Sequence, residues 1–306
     1  MIFLTVVCTV FLGIAVASGR DVRPHRIAVL VSRDIRPYIE AAEGLSGALA
    51  KAGDVKVEVF SLEKFKGKDL IDLSGRLAEK RFALFVAIGP GAARFVWKGL
   101  RAEGTPMLYS IVLNPQNVLG PTEAACGISL NIPVQRQLEM VALGLPAIRR
   151  LGLLYDPDHN SVFFRDAAVE ASFLHLEIVP LEVSSKTDIP VVLKQHWKDI
   201  DALWLIPDRT VISESIVQYV IKEAILQNIA VIGYNRFFYE SGAALAFVFD
   251  YEELGRQCAK EAIRILSGEA CQETPPLFRV WINARVVRNL GIDLTEKYTS
   301  PIMLGP

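Results

Sequence analysis

Short apolar runs alternate with amphipathic stretches along almost the whole chain, and this alternation limits the fold more than any other feature. The first run, Arg26 to Ser32, is typical of a buried strand, and Ile39 to Ala52 has apolar residues at helical spacing before Gly53. The succession continues to about residue 113 and starts again after Pro133. A strand–helix succession predicts a parallel sheet with helices on both faces. Because it occurs twice, we expect an α/β fold of two doubly wound parallel-sheet (Rossmann-like) lobes.

The amino-terminal segment has the composition of an export signal. Residues 1–19 carry no charged side chain, and Ala15-Val16-Ala17 supplies the small-x-small pattern of a signal-peptidase site. We therefore predict a signal peptide over 1–19 and a periplasmic or other extracytoplasmic location. The alternative is an uncleaved amino-terminal membrane anchor, because no Lys or Arg precedes the apolar run, whereas Arg20, Arg23 and Arg26 follow it.

Composition excludes several classes of protein. The 306 residues include 33 Lys and Arg against 34 Asp and Glu, and this balance argues against a nucleic-acid partner. Four cysteines are too few for a disulfide-built scaffold and are not paired as a zinc site requires. The chain has neither a Gly-x-Ser-x-Gly elbow nor a phosphate-binding Gly-Lys-Ser/Thr loop. We expect no cofactor and no enzymatic activity.

The predicted strands indicate where a ligand would bind. In open parallel sheets, ligands lie beyond the carboxyl ends of the strands. Two such sheets that face each other would enclose a cleft lined by the loops at these ends, which is a favoured place for a small-molecule site. The loops follow Ser32, Gly89, Leu113, Tyr155, Pro207, Tyr234 and Phe249.

An ordered series of short motifs resembles one known family. The chain is similar to the substrate-binding proteins of bacterial ABC importers, which have the type I periplasmic-binding fold, and within them to the subfamily with tryptophan- and tyrosine-binding members. The motifs are Ala87-Ile88-Gly89-Pro90-Gly91-Ala92-Ala93, Asn114-Pro115, Cys126-Gly127-Ile128-Ser129, Leu145-Pro146-Ala147-Ile148-Arg149-Arg150-Leu151-Gly152, Tyr155-Asp156-Pro157, Asn160-Ser161, Asp201-Ala202-Leu203-Trp204, Pro207-Asp208, Gly242-Ala243-Ala244-Leu245 and Asp250-Tyr251-Glu252-Glu253-Leu254-Gly255-Arg256-Gln257.

The resemblance implies an architecture and a function. It implies one lobe from 26–130 with 251–275, a second from 131–250 with 276–295, and a hinge that closes the ligand cleft between them. It further implies a monomer that binds a small polar ligand, an amino acid or a related and preferably aromatic compound, and presents it to an ABC permease in the inner membrane. Asn114, Asp156 and Cys126 depart from the family's usual Asp, Asn and Thr. The alternatives are a ligand sensor without transport and a two-domain nucleotide-sugar enzyme.

The candidate ligand residues come from the predicted loops. The Gly89–Ala93 turn could hold a carboxylate at the amino terminus of the following helix, or it is an ordinary strand–helix turn. Asp208 could pair with a ligand ammonium, and both Asp208 and Asp250 could instead cap helices. In full, the candidates are Ser32, Gly89, Gly91, Ala92, Asn114, Tyr155, Asn160, Ser161, Asp208, Asn235 and Asp250.

Three further groups have competing interpretations. Asp156, Asp158 and His159 look like metal ligands, but the intervening proline and the helix beyond it favour a turn and a helix N-cap, and we predict no metal site. The aromatic run 237–239 could stack on a ligand or pack within the fold. Signal cleavage would leave Cys126, Cys258 and Cys271; Cys258 is predicted to be buried in a helix. In the predicted fold, Cys126 and Cys271 lie near lobe crossings and are a candidate disulfide pair.

Overall fold

Five segments of the chain are described by the computed structural model: residues 24–100, 104–120, 126–211, 213–294 and 298–306. The predicted signal peptide, 1–19, lies outside them. Within these five segments, no helix is both long and apolar enough to cross a membrane.

The first half of the chain forms a five-stranded parallel sheet in the order β2-β1-β3-β4-β5. β3 and β4 are buried along their whole length because helices cover both faces of the sheet. The strands are β1 (His25–Val31), β2 (Val55–Ser61), β3 (Leu84–Ile88), β4 (Met107–Val112) and β5 (Cys126–Ser129). The helices in this half are α1 (Arg36–Lys51), α2 (Lys68–Glu79), α3 (Pro90–Gly99) and α4 (Pro115–Leu119).

The second half forms a seven-stranded sheet in the order β12-β11-β10-β9-β8-β6-β7, in which β10 and β11 are antiparallel and the other neighbours are parallel. Its strands are β6 (Arg150–Tyr155), β7 (Glu177–Glu182), β8 (Ala202–Leu205), β9 (Ala230–Gly233), β10 (Leu245–Val248), β11 (Arg279–Ile282) and β12 (Ile302–Leu304). The helices of the second half are α5 (Val134–Gly144), α6 (Pro157–Ser172), α7 (Ile189–His196), α8 (Glu214–Leu226), α9 (Arg236–Glu240), α10 (Tyr251–Leu266) and α11 (Ala284–Asn289).

Each sheet has a hydrophobic core on both faces, as the alternation of side chains along a strand requires. In β1, Ile27 and Val29 join the core shared with α1 and α10, whereas Ala28 and Leu30 join the core shared with α2 and α3. The second sheet has the same arrangement, with α5, α6 and α11 over one face and α7 and α8 over the other. The packing therefore produces two α/β units, each a sheet with helices on both faces, as predicted.

The chain passes between the two sheets three times. The first passage lies between β5 and α5, and the second joins β10 to α10, which packs on α1 of the first half. The third follows α10: the Thr274 N–H still bonds the Gly127 carbonyl beside β5, and the chain then enters β11 of the second sheet. The lobe boundaries given above stay a prediction.

The structure contains elements that hydrophobic periodicity did not predict. β5, α4, α9 and β12 have three to five residues each, too short to show a period. Helix α1 begins at Arg36 rather than Ile39, with Pro37 in its first turn. Helix α6 begins at Pro157, but Asn160 has non-helical dihedral angles (φ −130°, ψ 18°), and a kink there precedes the predicted start at Ser161.

Candidate functional site

A cavity of about 330 Å³ lies between the two sheets, at the carboxyl ends of their strands. Loops from both halves and two of the passages between them form its wall. Its volume is at the lower end of the range for small-molecule pockets. The lining residues are Leu113, Asn114, Leu130, Asn131, Ile132, Pro133, Val134, Gln137, Asn160, Phe163, Ile206, Pro207, Tyr234, Asn235, Phe249 and Tyr251. We call this cavity the central pocket.

Asn114 enters the central pocket from the loop after β4. Its backbone is left-handed (φ 46°, ψ 65°), a conformation that Asn tolerates better than most residues. The Asn114 N–H donates to Asn131 Oδ1 at 3.1 Å, which links this loop to the first passage between the sheets. Asn114 and Asn131 therefore both lie on the wall formed by the first half.

Asn160 enters from the second half, and a buried carboxylate fixes its orientation. Its side-chain amide donates to Asp208 Oδ2 at 2.7 Å. Asp208 is 1% exposed and also accepts the N–H groups of Asp156, Thr210 and Val211 at 2.8, 2.8 and 3.2 Å. With four donors satisfied, its carboxylate organises the loops after β6 and β8. Asp208 is not among the residues that line the central pocket, so the structure does not place it where it could pair with a ligand ammonium as predicted.

Asp156 belongs to the same buried network. Its Oδ1 accepts the Asp158 N–H at 3.0 Å and caps α6, while its Oδ2 accepts the Thr210 hydroxyl at 2.6 Å. The Thr210 hydrogen bond is the main reason that the pKa of Asp156 lies below its ordinary value of 3.8. The predicted turn and N-cap are confirmed. Across the described ranges, no group of three His, Cys, Asp or Glu side chains could hold a metal ion.

Asn235 is the third candidate that lines the central pocket. It follows β9 in an extended conformation, and its Oδ1 accepts the Phe238 N–H at 3.3 Å, so it caps α9. The neighbouring Tyr234 also lines the pocket, and burial raises the pKa of its phenol to about 12. Phe238 is 2% exposed and lies against the Tyr234 ring at 4.6 Å, which assigns it to packing rather than to ligand stacking.

The Gly89–Ala92 turn and Ser32 do not line the central pocket. Ser32 Oγ accepts the Ala92 N–H at 2.8 Å and donates to the Ile88 carbonyl at 3.0 Å. Gly89 has a φ of +86°, and a Cβ there would lie 2.7 Å from Ser32 Oγ. Gly91 is exposed. In this structure, these residues form a closed strand–helix turn whose Ala92 N–H already has an acceptor within the chain.

Three more predicted ligand residues lie elsewhere. The Tyr155 hydroxyl donates to Glu182 Oε1 at 2.8 Å, and its ring stacks on Phe164 at 5.1 Å. Ser161 is exposed, one residue beyond the kink in α6. Asp250 caps α10 by accepting the Glu253 N–H at 3.0 Å. This is the helix-capping role that the sequence left open beside ligand contact.

Asp250 lines a second, polar cavity of about 740 Å³. Its walls come from α1 and α10, which pack on each other, and from α9 and β11 beside the second sheet. The ion pairs Arg36–Glu40 (2.6 Å) and Arg236–Glu240 (2.7 Å) lie on opposite walls, and Arg279 lies 3.6 Å from Asp250. This cavity is thus lined by charged groups, whereas the described lining of the central pocket consists of carboxamides, two phenols and apolar residues.

Sequence reasoning missed several side chains of the central pocket. Asn131 and Gln137 lie in or after the passage between β5 and α5, and the buried Gln137 amide donates to the Ile132 carbonyl at 2.8 Å. Phe163 lines the pocket from α6, and the centroid of its ring lies 5.4 Å from that of Trp204. The polar Asn131 between apolar Leu130 and Ile132, just ahead of Pro133, was a signal that could have pointed to this wall.

Cys126 and Cys271 form a disulfide bond with a Cα–Cα distance of 5.8 Å. Cys126 begins β5, and Cys271 lies on the third passage, so the bond ties this passage to the first sheet. Among the described cysteines, Cys258 is free and buried, and burial raises the pKa of its thiol to about 12. The thiol therefore stays protonated and unreactive while the fold is intact.

Comparison with known proteins gives a family match and several relatives. The family model described as "ABC transporter substrate binding protein" matches residues 26–300. A "Tyrosine-binding protein" of Clostridioides difficile (strain R20291) is 22% identical over 211 residues, which cover 66% of this chain and 60% of that protein. The chain thus aligns with less than two thirds of that relative.

Two solved structures share the fold. A ligand-free, open structure of a substrate binding protein with adhesive properties from Clostridium difficile has a TM-score of 0.74 at 20% identity, covering 92% of this chain and 100% of that one. A Streptococcus pneumonia ABC domain in complex with L-Trp has a TM-score of 0.60 at 20% identity, with coverages of 89% and 96%. At such identities, the likeness establishes the fold alone.

Proposed function

Because the chain belongs to the ABC transporter substrate-binding protein family, we propose that it is the extracytoplasmic solute-binding component of an ABC importer. The predicted family and the type I periplasmic-binding fold are confirmed. Members of this family and fold are substrate-binding proteins, so the chain's proposed role is to bind a solute without altering it.

One observation carries the proposal: the central pocket is formed jointly by the two halves of the chain. Asn114 and Asn131 lie on one wall, and Asn160 and Asn235 on the other. A ligand that contacts both walls gains its full set of interactions only when they approach each other. Binding therefore favours closure about the three passages that connect the sheets.

The ligand is a small polar compound with a flat ring. Phe163, Tyr234, Phe249 and Tyr251 supply aromatic surface in the central pocket, and the carboxamides supply hydrogen bonds. One relative is named a tyrosine-binding protein, and another structure contains L-Trp. Aromatic amino acids and related ring compounds are accordingly the first to test.

The partners follow from the proposed importer role. The chain works as a secreted monomer, exported through the 1–19 segment, and delivers its ligand to a permease in the inner membrane. After delivery, the lobes reopen. The near-equal numbers of basic and acidic residues in the sequence argue against a nucleic-acid partner.

A ligand screen combined with small-angle scattering tests this function. Thermal-shift measurements on aromatic amino acids, nucleosides, organic acids and sugars should find at least one compound that raises the melting temperature. That compound should also reduce the radius of gyration as the lobes close. A compound that stabilises the protein without compacting it would contradict hinge closure, and the absence of any stabilising compound would contradict the proposed function.

A steric variant locates the binding site. Val134 lines the central pocket, so Val134→Trp should fill it and abolish stabilisation by the compound found in the screen. Val191→Trp, at a 57% exposed position on α7, is the control that should bind normally. Normal binding by Val134→Trp would place the ligand somewhere other than the central pocket.

A further inference from the structure

The central pocket has an unusual electrostatic composition for a site that would hold a charged metabolite. Among its described lining residues, none is Asp, Glu, Lys, Arg or His. Five carboxamides provide most of its polar side-chain groups, namely Asn114, Asn131, Gln137, Asn160 and Asn235. The remaining polar side chains are the phenols of Tyr234 and Tyr251.

Both phenols are neutral under physiological conditions. Burial raises the pKa of Tyr234 to about 12 and also raises the pKa of Tyr251 above its ordinary value of 10.0. Each phenol therefore acts as a hydrogen-bonding group and not as an anion. The wall of the pocket consequently presents neutral dipoles and apolar surface.

The carboxylates nearest the pocket are already committed to the protein. Asp208 accepts four hydrogen bonds, including one from Asn160, and Asp156 accepts two. Asp250 caps α10 and lies beside Arg279 in the second cavity. A ligand ammonium in the central pocket would thus lack a carboxylate partner among the described residues that line it.

The helix amino termini around the cleft are also partly satisfied. Side-chain oxygens of the chain accept a first-turn N–H in each of α3, α6, α9 and α10. The acceptors are Ser32, Asp156, Asn235 and Asp250, respectively. A ligand carboxylate would have to displace one of these internal acceptors to use the N–H groups that they occupy. Helix α5, whose first residue Val134 lines the pocket, has no side-chain cap. A carboxylate there would meet backbone N–H dipoles but no cation among the described residues that line the pocket.

We infer that the ligand of the central pocket carries no formal charge and presents a flat ring with adjacent hydrogen-bond donors and acceptors, as a purine, a pyrimidine or a ring carboxamide does. The inference rests on the proposed function, since it specifies the ligand of the same pocket. A charge transferred from water into a pocket without an ionised partner loses hydration that neutral dipoles replace only in part. A carboxamide, by contrast, can match the edge of a neutral heterocycle with one donor and one acceptor. Asn160 and Gln137 already donate within the protein, which leaves their carbonyl oxygens for a ligand. Asn131 and Asn235 already accept, which leaves their NH₂ groups as donors.

A ligand series matched in ring system and varied in charge tests the inference directly. Indole-3-acetamide, tryptamine, indole-3-acetate and L-tryptophan share one ring system and differ in formal charge, and adenine, hypoxanthine and uracil extend the neutral set. Titration calorimetry on the purified protein should show the tightest binding for a neutral member. Tryptamine, indole-3-acetate and L-tryptophan should bind at least about tenfold more weakly than the best neutral compound.

The outcomes separate the inference from the proposed function. Tighter binding of L-tryptophan, tryptamine or indole-3-acetate than of every neutral member would overturn the inference and leave the proposed function standing. Binding of neutral members that is also lost in Val134→Trp would support both. If no compound in the series binds, the inference fails, and the proposed function is then decided by the wider ligand screen.

A variant adds a second, independent readout. Asn114→Asp places a carboxylate on the pocket wall with little change in size, at a left-handed position that Asp also tolerates. It should weaken binding of the best neutral ligand about tenfold and improve binding of a cationic member of the series. Asn117 is exposed on α4, the helix that follows Asn114, and does not line the pocket. Asn117→Asp should therefore change the affinity for neither the neutral nor the cationic ligand. Unchanged charge preference in Asn114→Asp would overturn the inference.

Discussion

The side-chain amide of Asn160 donates a 2.7 Å hydrogen bond to Oδ2 of Asp208, which is 1% exposed. This bond orients a pocket residue at a kink in α6, where the backbone itself leaves the helical conformation. Asp208 is therefore a positioning residue: it shapes the pocket through Asn160 and through the backbone of two loops. The arrangement explains why a carboxylate at the end of β8 can matter for binding without touching the ligand.

Replacement of Asp208 by Asn should destabilise the protein and weaken ligand binding. The carboxylate now accepts hydrogen bonds from the backbone N–H groups of Asp156, Thr210 and Val211. The NH₂ group of an asparagine would face some of these N–H groups, which would then lose their acceptor. We expect Asp208→Asn to lower the free energy of unfolding by about 2 kcal/mol, measured by urea denaturation. Affinity for the ligand from the screen should fall because Asn160 loses its fixed orientation.

The exposed Asp158 provides the matched control for this substitution. It lies on the turn before the kink in α6, and Asp158→Asn should change stability by less than about 0.5 kcal/mol. Equal stabilities for Asp208→Asn and Asp158→Asn would show that the buried network does not hold the loops.

The hydrogen bond from Thr210 to Asp156 should make stability depend on pH. Because the pKa of Asp156 is below 3.8 in the folded protein, its ionised form contributes stability that is complete above pH 3.8. The contribution is lost as pH falls through the folded-state pKa. Thr210→Val, which removes the donor, should cost about 1–2 kcal/mol at pH 7. The difference from wild type should shrink towards pH 3.

Thr210→Ser separates the hydroxyl from the rest of the side chain. It retains the donor, so its unfolding free energy should follow the wild-type pH profile between pH 3 and pH 7. A cost in Thr210→Val that is the same at both ends of this range would contradict a role for the Asp156 charge.

Sequence patterns predicted the lobes better than the site, for identifiable physical reasons. The strand–helix alternation fixes parallel sheets, and Asn114, Asn160 and Asn235 follow strands whose carboxyl ends meet at the pocket. A pattern does not specify which way a polar side chain turns. Asp208 turns back to local N–H groups, and Ser32 closes the turn before α3. Asn131 and Gln137 line the pocket because the chain crosses there from the first sheet to the second. Hydrophobic periodicity does not predict the course of such a crossing.

The Cys126–Cys271 disulfide should contribute strongly to stability. It closes a sequence separation of 145 residues, and long loops lose the most entropy in the unfolded chain when they are cross-linked. Cys126→Ser combined with Cys271→Ser should lower the free energy of unfolding by about 2–5 kcal/mol. Peptide mapping without reduction should recover both cysteines in one cross-linked product and Cys258 as a thiol. Recovery of Cys126 and Cys271 as free thiols would disprove the bond.

Gly44 on α1 and Gly255 on α10 allow these two helices to pack in backbone contact. Gly255 provides the sharpest test of this packing. A Cβ at Gly255 would overlap the Ala41 carbonyl oxygen, a backbone atom that cannot move aside alone. Gly255→Ala should therefore destabilise the protein by about 3 kcal/mol in urea denaturation. Gly47, on α1, has no atom within 4 Å of an added Cβ, so Gly47→Ala should stabilise by up to about 1 kcal/mol through helix propensity. Effects of the same sign in the two variants would refute close packing of α10 on α1.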